Sequence, residues 1–182
     1  INSGGYIDQA EKALAKNNDR RYELVGAGIG GNKVYDLYLR LEEDVLEKKP
    51  DIVFIYIGIN DVWHKTSGIG TDIEKYERFY VAIIKKLQAK HAKVILCTPS
   101  VIGEKKNGAN PQDKDLDAYS AVIRRLAQAY ACPLVDLRAA FTAYENTNNT
   151  ADSESGILTT DRVHLNEKGN ALVAAEVMKA LQ

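Results

Sequence analysis

The sequence lacks the features that would assign it to a special class of protein. Its 24 basic and 25 acidic residues are well mixed, so no basic run indicates a nucleic acid or a charged membrane surface as partner. No apolar run approaches the ~20 residues that a transmembrane helix needs. The opening residues INSGGYIDQA do not form a signal-peptide pattern, and the sequence leaves the cellular location open. With 182 residues, 45% of them hydrophobic, residues 1–182 are expected to form one domain.

Cysteine and histidine are also scarce, which argues against a disulfide and a metal centre. Cys97 ends the apolar run KVILC, and Cys132 precedes the run PLVDL. If these runs are neighbouring parallel strands, the thiols lie at opposite strand ends, beyond the ~4.4–6.8 Å between Cα atoms that a disulfide spans. Three histidines without an H-E-x-x-H motif or clustered carboxylates predict no metal site, and no cofactor is expected.

Strand-like and helical patterns alternate along the whole chain. The predicted strands occupy 22–28, 51–57, 93–97 and 133–136, and helical spacing of apolar residues covers 6–17, 34–45, 73–87, 115–130, 137–145 and the segment after Asn166. Continuous apolar strands separated by helices are typical of a parallel sheet that is covered on both faces. We therefore predict a three-layer α/β/α sandwich with a flavodoxin-like parallel sheet.

Polar residues stand where these strands end, which is the edge at which such sheets bind ligands. One strand leads into the glycine-rich run 26–31, and the run DIVFIYIG passes abruptly into Asn60 and Asp61. An amide at that edge can stabilise developing negative charge without neutralising a nucleophile. Near the C-terminus, Asp161 stands three residues before His164. Such a carboxylate can fix the imidazole tautomer and stabilise the imidazolium of a general base.

Each pattern has an alternative interpretation when it is taken alone. Residues 26–31 satisfy G-x-G-x-x-G, but the acidic residue that dinucleotide binding requires at the next strand end is missing, because Asp51 stands at the other end. The glycines also fit a tight turn, or an N–H offered to an anion. An Asp-x-x-His pair fits the start of a surface helix. The combination of this pair with Asn60 favours acyl-transfer chemistry.

Three blocks together resemble the motifs of the SGNH or GDSL hydrolases. The run VGAGIGGNKV resembles the family's glycine block, with Gly31 in the position of the oxyanion glycine. The run GIND matches the block G-x-N-D, and Asn60 takes the place of the side-chain oxyanion donor. The run DRVH matches D-x-x-H, which implies that His164 is the catalytic base and that Asp161 orients it.

The resemblance implies a serine ester hydrolase that forms an acyl-enzyme on a small ester or an acylated carbohydrate. The sequence has no long apolar lid, which favours short acyl groups such as acetyl. Trp63, His64 and Ser100 are candidates for substrate binding, although an ordinary packed aromatic and a solvated histidine fit the first two equally well. Two alternatives stay open: an inactive relative that binds an ester or glycan, and a nucleotide-binding flavodoxin-like or Rossmann-like protein.

The block that carries the family's nucleophile, G-D-S-x, surrounds none of the six serines. Ser100 follows a strand and is the internal candidate. The helix at 6–17 needs a strand before it, because a helix in a parallel sheet connects two strands. In the flavodoxin-like order 2-1-3-4-5, that first strand is the central one. We therefore expect the chain to be N-terminally incomplete, with an apolar strand and the nucleophilic serine upstream of Ile1.

Overall fold

Three of the predicted strands pair into a parallel sheet in the computed structural model, which describes residues 3–182. In chain order the elements are α1 (Tyr6–Lys16), α2 (Val34–Leu39), α3 (Leu41–Asp44), β1 (Ile52–Tyr56), α4 (Ile59–Trp63), α5 (Ile73–Ala89), β2 (Lys93–Cys97), α6 (Asp113–Ala129), β3 (Leu134–Val135), α7 (Leu137–Asn148) and α8 (Glu167–Ala180). Short 3-10 turns occupy Leu46–Lys48 and His64–Ser67. Among the helices of residues 3–182, none combines the length and apolar character that a bilayer crossing requires.

The sheet is covered by helices on both faces. Strand β2 lies between β1 and β3, with Phe54 opposite Ile95 and Leu96 opposite Leu134. Alternate residues of β2 enter two separate apolar clusters. Leu96 packs among residues of α2 to α6, whereas Ile95 packs among residues of α1, α7 and α8. The predicted α/β/α sandwich is therefore confirmed. The three described strands lie side by side in chain order and correspond to the last three positions of the predicted order 2-1-3-4-5. The first two positions of that order stay a prediction.

The strand predicted at 22–28 is wrong for the described structure, because this segment has no regular secondary structure. This segment and β1 line a common groove of about 980 Å³. Leu24 and Val25 belong to its lining, together with Ile52 and Phe54 of β1. A strand requires a hydrogen-bonded neighbour at about 4.8 Å, and within residues 3–182 this segment pairs with no strand. Strand β1 is consequently an edge of the described sheet, and its outer side faces the groove.

Most other predicted elements are confirmed with small changes of boundary. The predicted helix 34–45 is interrupted at Arg40, where φ is −104° and ψ is 9°, so that α2 and α3 are separate. Helix α8 begins after Asn166, whose side-chain oxygen accepts the Gly169 N–H at 3.0 Å. Cys97 and Cys132 are buried free thiols, as predicted.

The turn after β1 depends on Gly58. Its φ is +139°, and a Cβ at this position would lie 2.7 Å from the hydroxyl oxygen of Tyr76. That hydroxyl donates a hydrogen bond of 2.9 Å to the Ile57 carbonyl, so the ring cannot easily move away. Only glycine fits both the dihedral angle and the space. The turn directs the chain from the buried strand into α4, which begins at Ile59 and carries Asn60.

Candidate active site

The side chain of Asn60 lies against the glycine-rich turn that precedes α2. Its Nδ2 donates a hydrogen bond of 3.0 Å to the carbonyl of Asn32. An amide nitrogen has two N–H groups, and within the described chain this is the one bond that the Asn60 amide donates. The second N–H is therefore available to a bound group. The residue predicted from the strand-to-amide transition thus stands at an open edge of the sheet.

The glycine turn is held against α4 by the buried carboxylate of Asp61. Both carboxylate oxygens accept the Val34 N–H, at 3.2 and 3.3 Å, and the residue is 0% exposed. Burial raises the pKa of Asp61 even though this bond opposes the shift. Gly31, with φ of +80°, stands three residues before Val34 and next to Asn32. The structure therefore brings Gly31 and Asn60 to the same turn.

Asp161 and His164 form a hydrogen-bonded pair in the loop before α8. Asp161 Oδ2 lies 2.7 Å from His164 Nδ1, and Oδ1 accepts the backbone N–H groups of Val163 and His164 at 3.1 and 2.9 Å. The His164 N–H and then its imidazole lower the pKa of Asp161 to about 2. An ionised Asp161 makes Nδ1 the donor of this bond, which leaves Nε2 as the basic nitrogen. The His164 side chain is 66% exposed.

Trp63 connects this pair to the helix that carries Asn60. Its ring meets the His164 ring edge to face, with 5.8 Å between the ring centres, and lies 5.2 Å from the ring of His64. His64 is partly buried, and its Nδ1 has no hydrogen-bond partner within the described residues. Burial and then the charge of Lys33 lower the pKa of His64. The structure thus gathers Asn60, Trp63 and His164 at one edge.

Ser100 does not share this open position. It is 1% exposed, and its hydroxyl accepts a hydrogen bond of 2.9 Å from the Tyr56 hydroxyl below the sheet edge. A serine in this environment can contact neither solvent nor a ligand at the surface without a rearrangement of Tyr56. The prediction that Ser100 lines the substrate pocket therefore conflicts with its burial, and the same burial argues against Ser100 as a nucleophile.

The segment before α1 lies beside His164. Ser3, Gly4 and Gly5 line an open depression of about 910 Å³ together with His164 and Asn166. The N-terminal end of α1 is fixed there, because the Tyr6 N–H donates a hydrogen bond of 3.0 Å to the side chain of Asn170 in α8. The chain that enters α1 and the imidazole thus line the same depression.

Sequence reasoning missed Glu104, which stands in the polar run GEKKNGANPQDKD and is nevertheless 0% exposed. Its carboxylate accepts backbone N–H groups from the loop that leads to Asp161. No periodic pattern could have shown this, because the partners are more than 50 residues away in sequence. The buried position of Lys33, which is 7% exposed, was missed for a similar reason.

Comparison with known proteins identifies close relatives over almost the whole chain. Residues 2–172 match the model of the GDSL-like Lipase/Acylhydrolase family. The crystal structure of the acetyl xylan esterase AlAXEase superimposes with a TM-score of 0.98 at 52% identity, covering 100% of this chain and 93% of that chain. LAE5, an alpha/beta hydrolase enzyme from the metagenome of Lake Arreo, Spain, gives a TM-score of 0.86 at 32% identity, covering 97% and 81%.

An acetylxylan esterase from Geobacillus stearothermophilus is 32% identical over 163 residues, which are 87% of this chain and 71% of that protein. Crystal structures of Axe2, an acetylxylan esterase from the same organism, include catalytic mutants in which a serine, an aspartate or a histidine is replaced by alanine. The aspartate and the histidine stand three positions apart in that protein, which is also the separation of Asp161 and His164. The match over residues 2–172 shows that this chain belongs to the GDSL-like lipase/acylhydrolase family of carboxylic ester hydrolases.

Proposed function

We propose that this protein removes acetyl groups from acetylated carbohydrates, with xylan-derived oligosaccharides as the first substrate class to test. The observation that carries the proposal is the contact between His164 and Trp63, which brings the Asp161–His164 pair against α4, the short helix that also carries Asn60. The names of the relatives, which are acetylxylan esterases at 52% and 32% identity, support this substrate class. Family membership favours this function over the nucleotide-binding alternative, since the family consists of ester hydrolases.

In the proposed mechanism, His164 takes the proton from a serine hydroxyl as that oxygen attacks the ester carbonyl. Asp161 holds Nδ1 at 2.7 Å and stabilises the imidazolium, so that Nε2 receives the proton. The carbonyl oxygen becomes an oxyanion, to which the Asn60 amide and the Gly31 N–H donate. Collapse of the tetrahedral intermediate expels the sugar hydroxyl, which takes the proton from His164. Water then attacks the acyl-enzyme by the same route and releases acetic acid.

We propose that the nucleophilic serine belongs to a segment of the native protein that precedes Ile1. The apolar groove along the outer side of β1 has the lining that a buried parallel strand requires. A strand in this groove, parallel to β1, would end at the edge where Asn60 stands, and would offer residues 22–28 a ladder partner. The position of Ser3–Gly5 beside His164 supports the same route for the chain. Such a strand and residues 1–182 would together form one domain.

The open surroundings of His164 favour a short acyl group and a hydrophilic leaving group. Its side chain is 66% exposed, and the depression beside it is lined mainly by polar residues and glycine. A long acyl chain gains affinity by burying methylene groups, at about 0.8 kcal/mol each, and this depression offers it little apolar surface. We propose that Trp63 and His64 line the substrate site, because their rings continue from His164 along α4.

The first prediction concerns the substrate of the native protein. We expect kcat/KM for p-nitrophenyl acetate to exceed that for the octanoate at least about tenfold, since Leu165 is, among the described residues, the one large apolar side chain that lines the depression beside His164. Acetate release from acetylated xylooligosaccharides, followed by proton NMR, tests the carbohydrate part. A higher kcat/KM on the octanoate would contradict the short-chain proposal. If the protein hydrolyses p-nitrophenyl acetate but releases no acetate from the oligosaccharides, the carbohydrate proposal is contradicted.

The second prediction identifies the nucleophile. A fluorophosphonate probe should modify one serine of the native protein, and peptide mapping by mass spectrometry should place the label before Ile1. Ser120→Ala is the control, since this hydroxyl is buried and bonded to the Leu116 carbonyl in the middle of α6, and it should leave labelling unchanged. A label on any of the six serines in residues 1–182 would disprove the upstream nucleophile.

The third prediction concerns the amide of Asn60. Asn60→Ala should lower kcat on p-nitrophenyl acetate by about 10²–10³, which is the usual loss for one oxyanion donor, and should change KM little. Asn148→Ala provides the matched control, because this exposed amide bonds within α7, to the Tyr144 carbonyl. Near-normal kcat in the Asn60 variant would remove this side chain from the mechanism.

The fourth prediction separates the two histidines of the site. His164→Ala should nearly abolish acetyl ester hydrolysis, because the variant has no base to take the serine proton, and Asp161→Asn should lower kcat at least about tenfold. His64→Ala should retain most of the wild-type kcat, since its Nδ1 contacts no carboxylate that would orient it as a base. The reverse order of activities would mean that His64 is the base.

A further inference from the structure

A buried carboxylate lies behind the loop that carries Asp161 and His164. Glu104 Oε1 accepts the N–H groups of Leu158 at 2.8 Å and Thr159 at 2.5 Å, and Oε2 accepts the N–H of Ile157 at 2.8 Å. Three consecutive backbone donors are therefore directed at one side chain. Hydrogen bonds to an ionised acceptor are roughly twice as strong as neutral ones, so this contact is a strong constraint on the loop.

The same short segment binds the loop at two further points. The Gly103 N–H donates to the carbonyl of Arg162 at 2.8 Å, and the Glu104 N–H donates to the carbonyl of Glu154 at 3.1 Å. Between these contacts the loop closes on itself, because the Thr160 N–H donates to the carbonyl of His164 at 2.8 Å. Residues 103–104 thus bond to the loop at Glu154, at residues 157–159 and at Arg162.

The carboxyl group of Glu104 bonds to backbone groups rather than to a cation. Within residues 3–182 it forms no salt bridge, and its carboxylate partners are the three N–H groups. A second buried carboxyl, Glu145, stands nearby, and its Oε1 has no hydrogen-bond partner within the described chain. Burial and then the charge of Glu104 raise the pKa of Glu145 to about 8, with Arg138 opposing and Asp113 adding to the shift. At neutral pH, Glu145 is therefore the protonated member of the pair.

We propose that Glu104 is a positioning residue, whose carboxylate fixes residues 157–164 through its three backbone hydrogen bonds, so that the His164 ring stands against Trp63 at the edge where Asn60 lies. The inference rests on the proposed role of His164 as the base. The His164 side chain is 66% exposed, and its bonded partner Asp161 belongs to the same loop. Its position consequently depends on the backbone of the loop, and the backbone depends on Glu104.

The amide of glutamine has the size of the carboxylate but cannot replace it. In Glu104→Gln, one oxygen remains to accept, and the NH2 group faces N–H donors that it cannot bond. Glu104→Asp keeps the charge with a shorter reach, so it should restore part of the contact. Glu145→Gln is the matched control, because it makes the same chemical change at a neighbouring buried carboxyl for which the structure records no hydrogen bond to the loop.

The experiment compares these variants in the native full-length protein with p-nitrophenyl acetate at pH 7. Glu104→Gln should lower kcat about 10–100-fold with KM within about twofold, since a small displacement of a catalytic group has effects of this size. Hydrogen exchange measured by mass spectrometry should become faster in residues 157–164 and stay unchanged in α5 and α6. The kcat and the loop exchange rate of Glu104→Asp should lie between those of Glu104→Gln and those of the wild type. Glu145→Gln should match the wild type in both measurements.

A folded Glu104→Gln variant with wild-type kcat, or with unchanged exchange in the loop, would overturn the proposal. If Glu104→Gln does not fold, Glu104→Asp decides: faster loop exchange with a several-fold lower kcat supports the proposal, and wild-type values for both overturn it. His164→Ala is measured in parallel. Full activity in that variant would refute His164 as the base, whereas the exchange measurement would still report whether Glu104 holds the loop.

Discussion

The buried carboxylate of Asp61 is the constraint on which the geometry of the site depends. A carboxylate that is removed from water needs hydrogen-bond donors, and an unpaired buried charge is very unfavourable. The two carboxylate oxygens of Asp61 accept the N–H of Val34, the first residue of α2, at 3.2 and 3.3 Å. This requirement draws the start of α2, and the glycine turn before it, against α4. The juxtaposition of Gly31 and Asn60 is a consequence of satisfying Asp61.

Two other carboxyl groups of this fold have pKa values that their surroundings shift in opposite directions. Asp161 is open to solvent and bonded to His164, and its pKa falls to about 2, so it is ionised at any pH at which the fold is expected to work. Glu145 is buried beside Glu104, and its pKa rises to about 8. Pairs of carboxyl groups with such different surroundings can serve different roles in one domain. Here one is hydrogen-bonded to an imidazole at the surface, and the other is a neutral part of the interior.

Local patterns were sufficient to predict the three strands of the described sheet and the direct bond between Asp161 and His164. The runs at 51–57 and 93–97 are apolar on both faces, and the structure covers both faces with helices. Asn60 was predicted because an amide at the end of such a strand has no packing role. The Asp161 and His164 pair was predicted because three residues of separation allow a direct bond, which the structure has at 2.7 Å.

The contacts that could not be predicted are those between residues distant in sequence. Residues 22–28 have the composition of a strand, but a strand also needs a neighbour, and composition carries no information about neighbours. Ser100 follows a strand as a pocket residue would, yet Tyr56 covers it from the adjacent strand. Glu104 stands in a charged run that resembles a solvated loop, and its burial depends on where the loop around 157 folds back. These are properties of tertiary packing, which periodicity does not encode.

The edge-to-face contact between Trp63 and His164 gives the domain an internal optical reporter. Residues 1–182 contain one tryptophan, and its ring centre lies 5.8 Å from that of His164. A protonated imidazole quenches indole emission more strongly than a neutral one does, so fluorescence from Trp63 follows the charge of both imidazoles beside it, that of His164 and that of His64, whose ring centre lies 5.2 Å away. Ring-to-ring contact also makes this emission sensitive to a displacement of the histidine loop. In a variant that lacks the His64 imidazole, the state of His164 can therefore be read by light, without a substrate and without an added label.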